Sequence, residues 1–391
     1  NTVSFENKIG GRITSQGTLD ATDIDMVLNE GSIYLKGKST IASRVFTNTG
    51  DFSSDGDMTV TVGTGGVDNS GTIQSNTHLI VDSQVGINNT GDILAIQSAM
   101  ITAEETVVNN GGSIKANDGL SVASKTGDIE NTSGGTVSSG GDLMLMAKTR
   151  VMNQDMDSTI SSGGYLDINT VSFENKIGGR ITSQGTLDAT DIDMVLNEGS
   201  IYLKGKSTIA SRVFTNTGDF SSDGDMTVTV GTGGIDNSGT IQSNTHLIVD
   251  SQVGVNNTGG ILAIQSATIT AVESVVNNGG SIKANDGLSV TSKTNAIENT
   301  TGGTLMSGGD LQLNGSAFEN KDESEVVSQG EFDATDIDMV LNEGSIYSKG
   351  ASMITSRVFT NTGDFSSDGD MTVTVGTGGV DNSGTIQSNT H

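Results

Sequence analysis

Apolar residues recur along the chain at even offsets from a repeated asparagine. Two places before it stand Phe5, Val27, Phe46, Val67, Ile87, Val108, Ile129 and Val151. Four places after it stand Ile33, Phe52, Ile73, Ile93 and Ile114. Ten and twelve places after it stand Met58 and Val60, Leu79 and Val81, and Leu120 and Val122. In extended chain, even offsets share one face. These side chains therefore point into one interior, and the intervening Ser, Thr, Asp and Lys point out. No stretch carries the i, i+3, i+4, i+7 spacing of an amphipathic helix. Tripeptides such as Asn69-Ser70-Gly71, Asn89-Thr90-Gly91 and Gly140-Gly141-Asp142 supply turn chemistry between the runs. The pattern predicts units of two or three short strands separated by turns.

The asparagine itself sets the period. It recurs as Asn7, Asn29, Asn48, Asn69, Asn89, Asn110, Asn131, Asn153, Asn175, Asn197, Asn216, Asn237, Asn257, Asn278, Asn299, Asn320, Asn342, Asn361 and Asn382, at a mean spacing of 20.8 residues. A longer period is superimposed on this one. Residues 1–66 recur unchanged at 169–234, and the first difference is Val67 against Ile235. A third, incomplete copy is recognisable from about Phe318, giving long repeats 1–168, 169–313 and 314–391. The second copy is 23 residues shorter than the first, close to one short unit. A stack of interchangeable units tolerates such a loss, whereas a fold built on long-range contacts does not. The expectation is an all-β, continuous parallel β-solenoid over residues 1–391, with about 19 coils of about 21 residues. Changes between the copies agree with the parity. Val67 to Ile235, Ile87 to Val255 and Val137 to Leu305 fall at inward positions, while Glu104 to Val272 and Asp128 to Ala296 fall outside.

Composition narrows the chemistry. The 391 residues include 54 Gly but no Pro, Cys or Trp. Proline has no N–H to donate and is confined to sheet edges, bulges and turns, so its exclusion fits a backbone committed to ladders. Without cysteine there are no disulfides, thiolate metal sites or thiol nucleophiles. The net charge of −28 argues against nucleic acid or an anionic membrane surface as partner, because both need clustered positive charge. No apolar run approaches the length of a membrane helix.

The repeated asparagine shares the parity of the core, which places its amide inward at a turn. There it can hydrogen-bond to the same amide one coil above and one below. Asn29, Asn48, Asn69, Asn89, Asn110, Asn131, Asn197, Asn216, Asn237, Asn257, Asn278, Asn299, Asn342 and Asn361 are the candidates for this ladder. Two acidic clusters are the candidates for metal chemistry. They are Asp20, Asp23 and Asp25, with Ile24 inward between the last two, and Asp51, Asp55 and Asp57. Oxygen donors of this kind suit Ca²⁺. The glycine that an EF-hand needs is absent, so the expectation is a solvated acidic face, with weak Ca²⁺ binding as the most it offers and no resident cofactor. His78, His246 and His391 occupy equivalent positions and read as surface histidines, not as members of a triad. A groove enzyme needs one unique set of acids and bases, and a chain that repeats itself offers no unique place; the expectation is a non-enzyme.

Units such as Val67-Asp68-Asn69-Ser70-Gly71-Thr72-Ile73-Gln74-Ser75, and Asn131 through Gly140-Gly141-Asp142-Leu143, resemble the haemagglutinin-type repeats of filamentous haemagglutinin-like exoproteins. That group includes the stalks of contact-dependent growth inhibition proteins. The resemblance covers the whole chain. It implies a right-handed parallel β-helix, export by two-partner secretion through an outer-membrane partner, and a place outside the cell. The implied role is an adhesin shaft or filament acting in attachment, biofilm or self-association, with a host or neighbouring cell as the other surface. The secretion domain and any toxin or receptor-binding region that such proteins carry do not occur within these residues. The third copy breaks off mid-coil at His391, so the chain is expected to be a window on a longer repetitive polypeptide. The alternative is a binding module whose repeated acidic and Asn/Thr faces engage glycan or Ca²⁺ multivalently.

Overall fold

The computed structural model describes residues 3–390. His391 lies outside the described residues. Every regular element among them is a β-strand. Two compact units are present, Asn1–Lys204 and Gly205–His391, and the boundary falls inside the second long repeat.

Each coil has a long arm that ends on an asparagine and a short arm of four residues. In the first unit the long arms Leu19–Asn29, Ser39–Asn48 and Met58–Asn69 are unbroken. In the next coils the arm divides at an elbow, as in Leu79–Ser83 followed by Ile87–Asn89. Short arms such as Ser32–Leu35, Asp51–Ser54, Thr72–Ser75 and Asp92–Ala95 form a second sheet. Ten short arms lie in the first unit and nine in the second, making a parallel β-solenoid of about 19 coils.

Within each unit the described pairings are parallel and join one coil to the next. Phe46 is the register partner of Val27 on one side and Val67 on the other. The column Ile33, Phe52, Ile73, Ile93 and Ile114 runs up the short-arm sheet. Along these arms buried positions alternate with more exposed ones, as the parity predicts for Phe46 and Phe52. The core between the two sheets is filled by these columns. Phe46 meets Phe52 with ring centroids 6.1 Å apart, and Phe214 meets Phe220 at 6.2 Å in the second unit. Each such side chain withdrawn from water contributes about 1.5–3 kcal/mol before the entropy of ordering is set against it.

The longest arms carry bulges at the elbow. Between Ala21 and Ile24 the pairing with the next arm slips, and Asp23 takes φ 57° to absorb the extra residue. Asp191 and Asp336 repeat this at 59° and 60°. Aspartate tolerates the left-handed region better than most residues, which explains why Asp rather than Thr22 holds that dihedral. Three residues, Gly63, Thr64 and Gly65, bulge opposite Arg44 in the same way, ending on Gly66 at φ 74°.

Candidate functional site

The most ordered polar array is the column of asparagines that closes every long arm. In the first unit Asn7 Nδ2 donates to Asn29 Oδ1 at 2.8 Å, and Asn29 Nδ2 donates to Asn48 Oδ1 at 2.7 Å. The relay continues through Asn69, Asn89, Asn109, Asn131, Asn153, Asn175 and Asn197. In the second unit it runs from Asn216 through Asn237, Asn257, Asn277, Asn299, Asn320, Asn342 and Asn361 to Asn382. The second amide hydrogen goes to a backbone carbonyl in the next coil, as from Asn48 to Thr72 O at 3.0 Å. A buried amide with both ends engaged escapes the penalty of an unsatisfied polar group.

Two members of the expected ladder are displaced by one residue. Asn109 and Asn277 are buried and carry the relay, whereas Asn110 and Asn278 are exposed. The turn after Asn109 is one residue longer than the one after Asn89, with Gly111 at φ 73°. Counting back from Ile114 across that extra residue shifts the parity. Val107, not Val108, is therefore the inward valine of the coil.

A second polar corner lies at the far end of the short arms. Ser54, Ser75, Ser162, Ser183, Ser222, Ser243 and Ser328 are buried there. Each donates its hydroxyl to a glycine carbonyl one coil back, for example Ser54 to Gly37 O at 2.8 Å and Ser75 to Gly56 O at 3.0 Å. Ser54, Ser75, Ser222 and Ser243 lie six places after the ladder asparagine, an even offset, so their parity was visible in the sequence; Ser162, nine places after Asn153 across a longer turn, breaks it, and the partners were not visible at all.

The acidic candidates lie outside, and three of the six, Asp25, Asp55 and Asp57, are engaged by neighbouring coils. Asp20, Asp23 and Asp25 are exposed. The Arg44 guanidinium pairs with Asp25 at 2.6 Å and holds its carboxyl below the usual range. Asp55 accepts from Tyr34 at 2.6 Å and from Asn76 at 2.8 Å. Asp57 accepts from Thr77 at 2.8 Å, and this hydroxyl lowers its pKa. Asp51 is exposed, beside Ser32 and Thr72 in register. Among the described residues no group of three or more His, Cys, Asp or Glu is disposed to hold a metal. His78 and His246 are exposed, each within 2.8 Å of a serine hydroxyl on the next coil.

Two constellations gave no sequence signal because cross-coil register creates them. Arg150 contacts Asp128 at 2.9 Å and Glu130 at 2.6 Å, with the buried Glu174 at 3.9 Å. Lys176 holds Glu174 from the other side at 3.1 Å. The other constellation stacks Asp167 on Asp188 in register. Tyr165 donates to one oxygen of Asp188 at 3.0 Å, and the other oxygen is buried with no hydrogen-bond partner. Burial, and then the Asp188 charge, raise the pKa of Asp167. Burial and the same carboxylate push the Tyr165 phenol up to about 12.

No family model, curated protein or solved structure matches the chain.

Proposed function

We propose that the chain is the repetitive shaft of a secreted, adhesin-like bacterial surface protein, a structural element and not an enzyme. The supporting observation is the interchangeability of whole coils. In the first unit the arm Leu187–Asn197 stacks on Leu166–Asn169 and Ser172–Asn175. In the second, where the long repeat is a coil shorter, Phe332–Asn342 stacks on Leu311 and Gln312 and on Ala317–Asn320 in the same way. The ladder and the core columns close around the missing coil, with Asn320 donating to Asn342 as Asn175 donates to Asn197. Selection for a unique groove does not tolerate such an excision; selection for reach does. Stacking alone holds each coil, so export needs no disulfide chemistry. The resemblance of the repeats to haemagglutinin-type units supplies the surface location and the secretion partner.

The test has a physical arm and a cellular one. Chains carrying one fewer and one more copy of residues 1–168 should differ in maximum dimension by about 38 Å per copy, eight coils at about 4.8 Å each, measured by electron microscopy. Antibody to the repeat should label intact cells and lose its epitope on protease shaving. A length that does not scale with copy number refutes the shaft. Labelling only after lysis refutes the surface location.

A further inference from the structure

One face of the first unit differs in chemistry from its counterpart in the second. It is the outer side of the first half of the long arms, in the strands Ser98–Ala103, Gly119–Ser124 and Asp142–Ala147. Met100, Met144 and Met146 stand there 47%, 40% and 36% exposed. Register places Ser121 between Met100 and Met144, and Ala123 beside Met146. The corresponding residues of the second copy are Thr268, Ser289, Gln312, Thr291 and Asn314. The apolar face is therefore a property of the first copy and not of the repeat. An exposed methionine surface on a sheet face marks a contact area.

The two edges of this face carry opposite charges on the same coils. On the turn edge stand Asp118 and Asp142, and on the elbow edge Lys125 and Lys148, all four exposed. Lys125 also touches Glu104 at 3.3 Å, and Asp142 accepts the Tyr165 N–H at 2.8 Å. A two-fold axis parallel to the stacking direction, lying between two such faces, sets the turn edge of one against the elbow edge of the other. Each Lys then meets the Asp of the same coil in its mate, and Met144 lies across from Met146. The opposite, antiparallel arrangement sets Lys on Lys and Asp on Asp.

We infer that this face pairs with the same face of a second copy of the chain, parallel and in register, through Met144 and Met146 at the centre and Lys125–Asp118 and Lys148–Asp142 pairs at the rim. The contact is isologous, so one patch serves both partners. Three to four coils at about 4.8 Å by six residues at about 3.3 Å give on the order of 400 Å² a side, the size of a weak, reversible association. The inference does not depend on where the protein resides, and its failure leaves the shaft proposal untouched.

Sedimentation equilibrium of the full chain tests it, at about 0.15 M salt so that the net charge is screened beyond about 8 Å, and at concentrations up to about 1 mM. The expected result is a reversible monomer–dimer equilibrium. Lys125→Asp and Asp118→Lys should each weaken it about tenfold or more by setting like charges across the contact, and the double variant should recover it. Met144→Lys should abolish it, while Gln312→Lys, at the corresponding place in the other copy, should not. Circular dichroism melting of every variant confirms that the coils remain folded. A chain that stays monomeric throughout, single charge variants without effect, or a double variant no better than the singles would each overturn the inference.

Discussion

Asn237→Ala is the most direct perturbation of the ladder. Its amide receives a hydrogen bond from Asn216 at 2.8 Å and donates to Asn257 Oδ1 at 2.7 Å, to Gly260 O at 3.1 Å and to Gly239 O at 3.2 Å. Removing it affects its two neighbours unequally. Asn216 still donates to Gly218 O at 3.1 Å and Thr240 O at 3.0 Å, so its loss is one net hydrogen bond, about 1 kcal/mol. Asn257 Oδ1 loses its ladder donor inside a buried turn, which carries a desolvation penalty of about 1–3 kcal/mol. The expected total is about 2–4 kcal/mol, concentrated in the coils that Asn216 and Asn257 close. Exposed Asn256, whose side chain donates to Asp236 at 3.1 Å on the surface, is the control; Asn256→Ala should cost less than about 0.5 kcal/mol.

The same logic separates the displaced asparagines. Asn277→Ala should behave like Asn237→Ala, and Asn278→Ala like the surface control. Urea unfolding gives the total, and amide hydrogen exchange shows whether the loss is local to the adjoining turns. If Asn237→Ala and Asn256→Ala shift the urea midpoint equally, the ladder contributes no stability of its own. If Asn278→Ala proves the costlier of its pair, the register assigned to that coil is wrong.

Three further outcomes are expected. A Cβ on Gly71 would stand 2.1 Å from Gly50 O and 2.6 Å from the Thr49 carbonyl carbon, so Gly71→Ala should force two coils apart at a cost of about 1–3 kcal/mol in urea unfolding, while Gly119→Ala, whose nearest contact is 3.9 Å, should be close to neutral. Asp167 has a pKa raised above its unfolded value, so its folded form binds more protons and its penalty develops as pH rises through and above the ordinary carboxylate range; Asp167→Asn should raise the thermal midpoint at pH 7 and make no difference near pH 3, and a lowered midpoint at pH 7 would contradict the stacking. Deleting residues 70–89 joins Asn69 to Thr90 and stacks the short arm Asp92–Ala95 on Asp51–Ser54 in place of Thr72–Ser75; this variant should keep a cooperative β-sheet melt, whereas deleting residues 70–79 should not fold.

What the sequence disclosed follows from which contacts lie along the chain and which lie across it. Parity along an arm is a local property, so Phe46, Phe52, Met58, Val60 and Val67 could be assigned inward before any coil was stacked. Parity fails where the chain changes length at a turn. The run Asn109-Asn110-Gly111-Gly112 offers two asparagines, and only the left-handed Gly111 decides between them. Contacts across coils depend on register, and a shift of one residue would reassign all of them. The Arg150 cluster, the serine corner and the Met144 face all belong to that class. The acidic clusters were legible as positions but not in their role, because Tyr34, Asn76 and Thr77, which engage Asp55 and Asp57, come from other coils.

Register also explains why the chain repeats strictly at the long period and loosely at the short one. An asparagine can stack on itself at every coil because its amide both donates and accepts. A carboxylate only accepts when ionised, so strict repetition at one coil would set like charges about 4.8 Å apart along a face. Variation between coils avoids this. Asp25 stands beside Arg44, Asp68 beside Asn88, and Asp82 between Thr61 and Thr102. Of the register pairs described, two set acid on acid. Glu298 and Glu319 share Lys321, at 3.6 Å and 2.7 Å. Asp167 and Asp188 have no such cation, and there the pKa of Asp167 rises. At the matching junction of the next copy Gln312 stacks on Asp333, an amide in place of the second acid. Within the block of residues 1–168 none of the described register pairs sets acid on acid. Duplicating that block whole carries Asp68 beside Asn88 over as Asp236 beside Asn256, and Asp82 between Thr61 and Thr102 over as Asp250 between Thr229 and Thr270, which duplicating a single coil would not do.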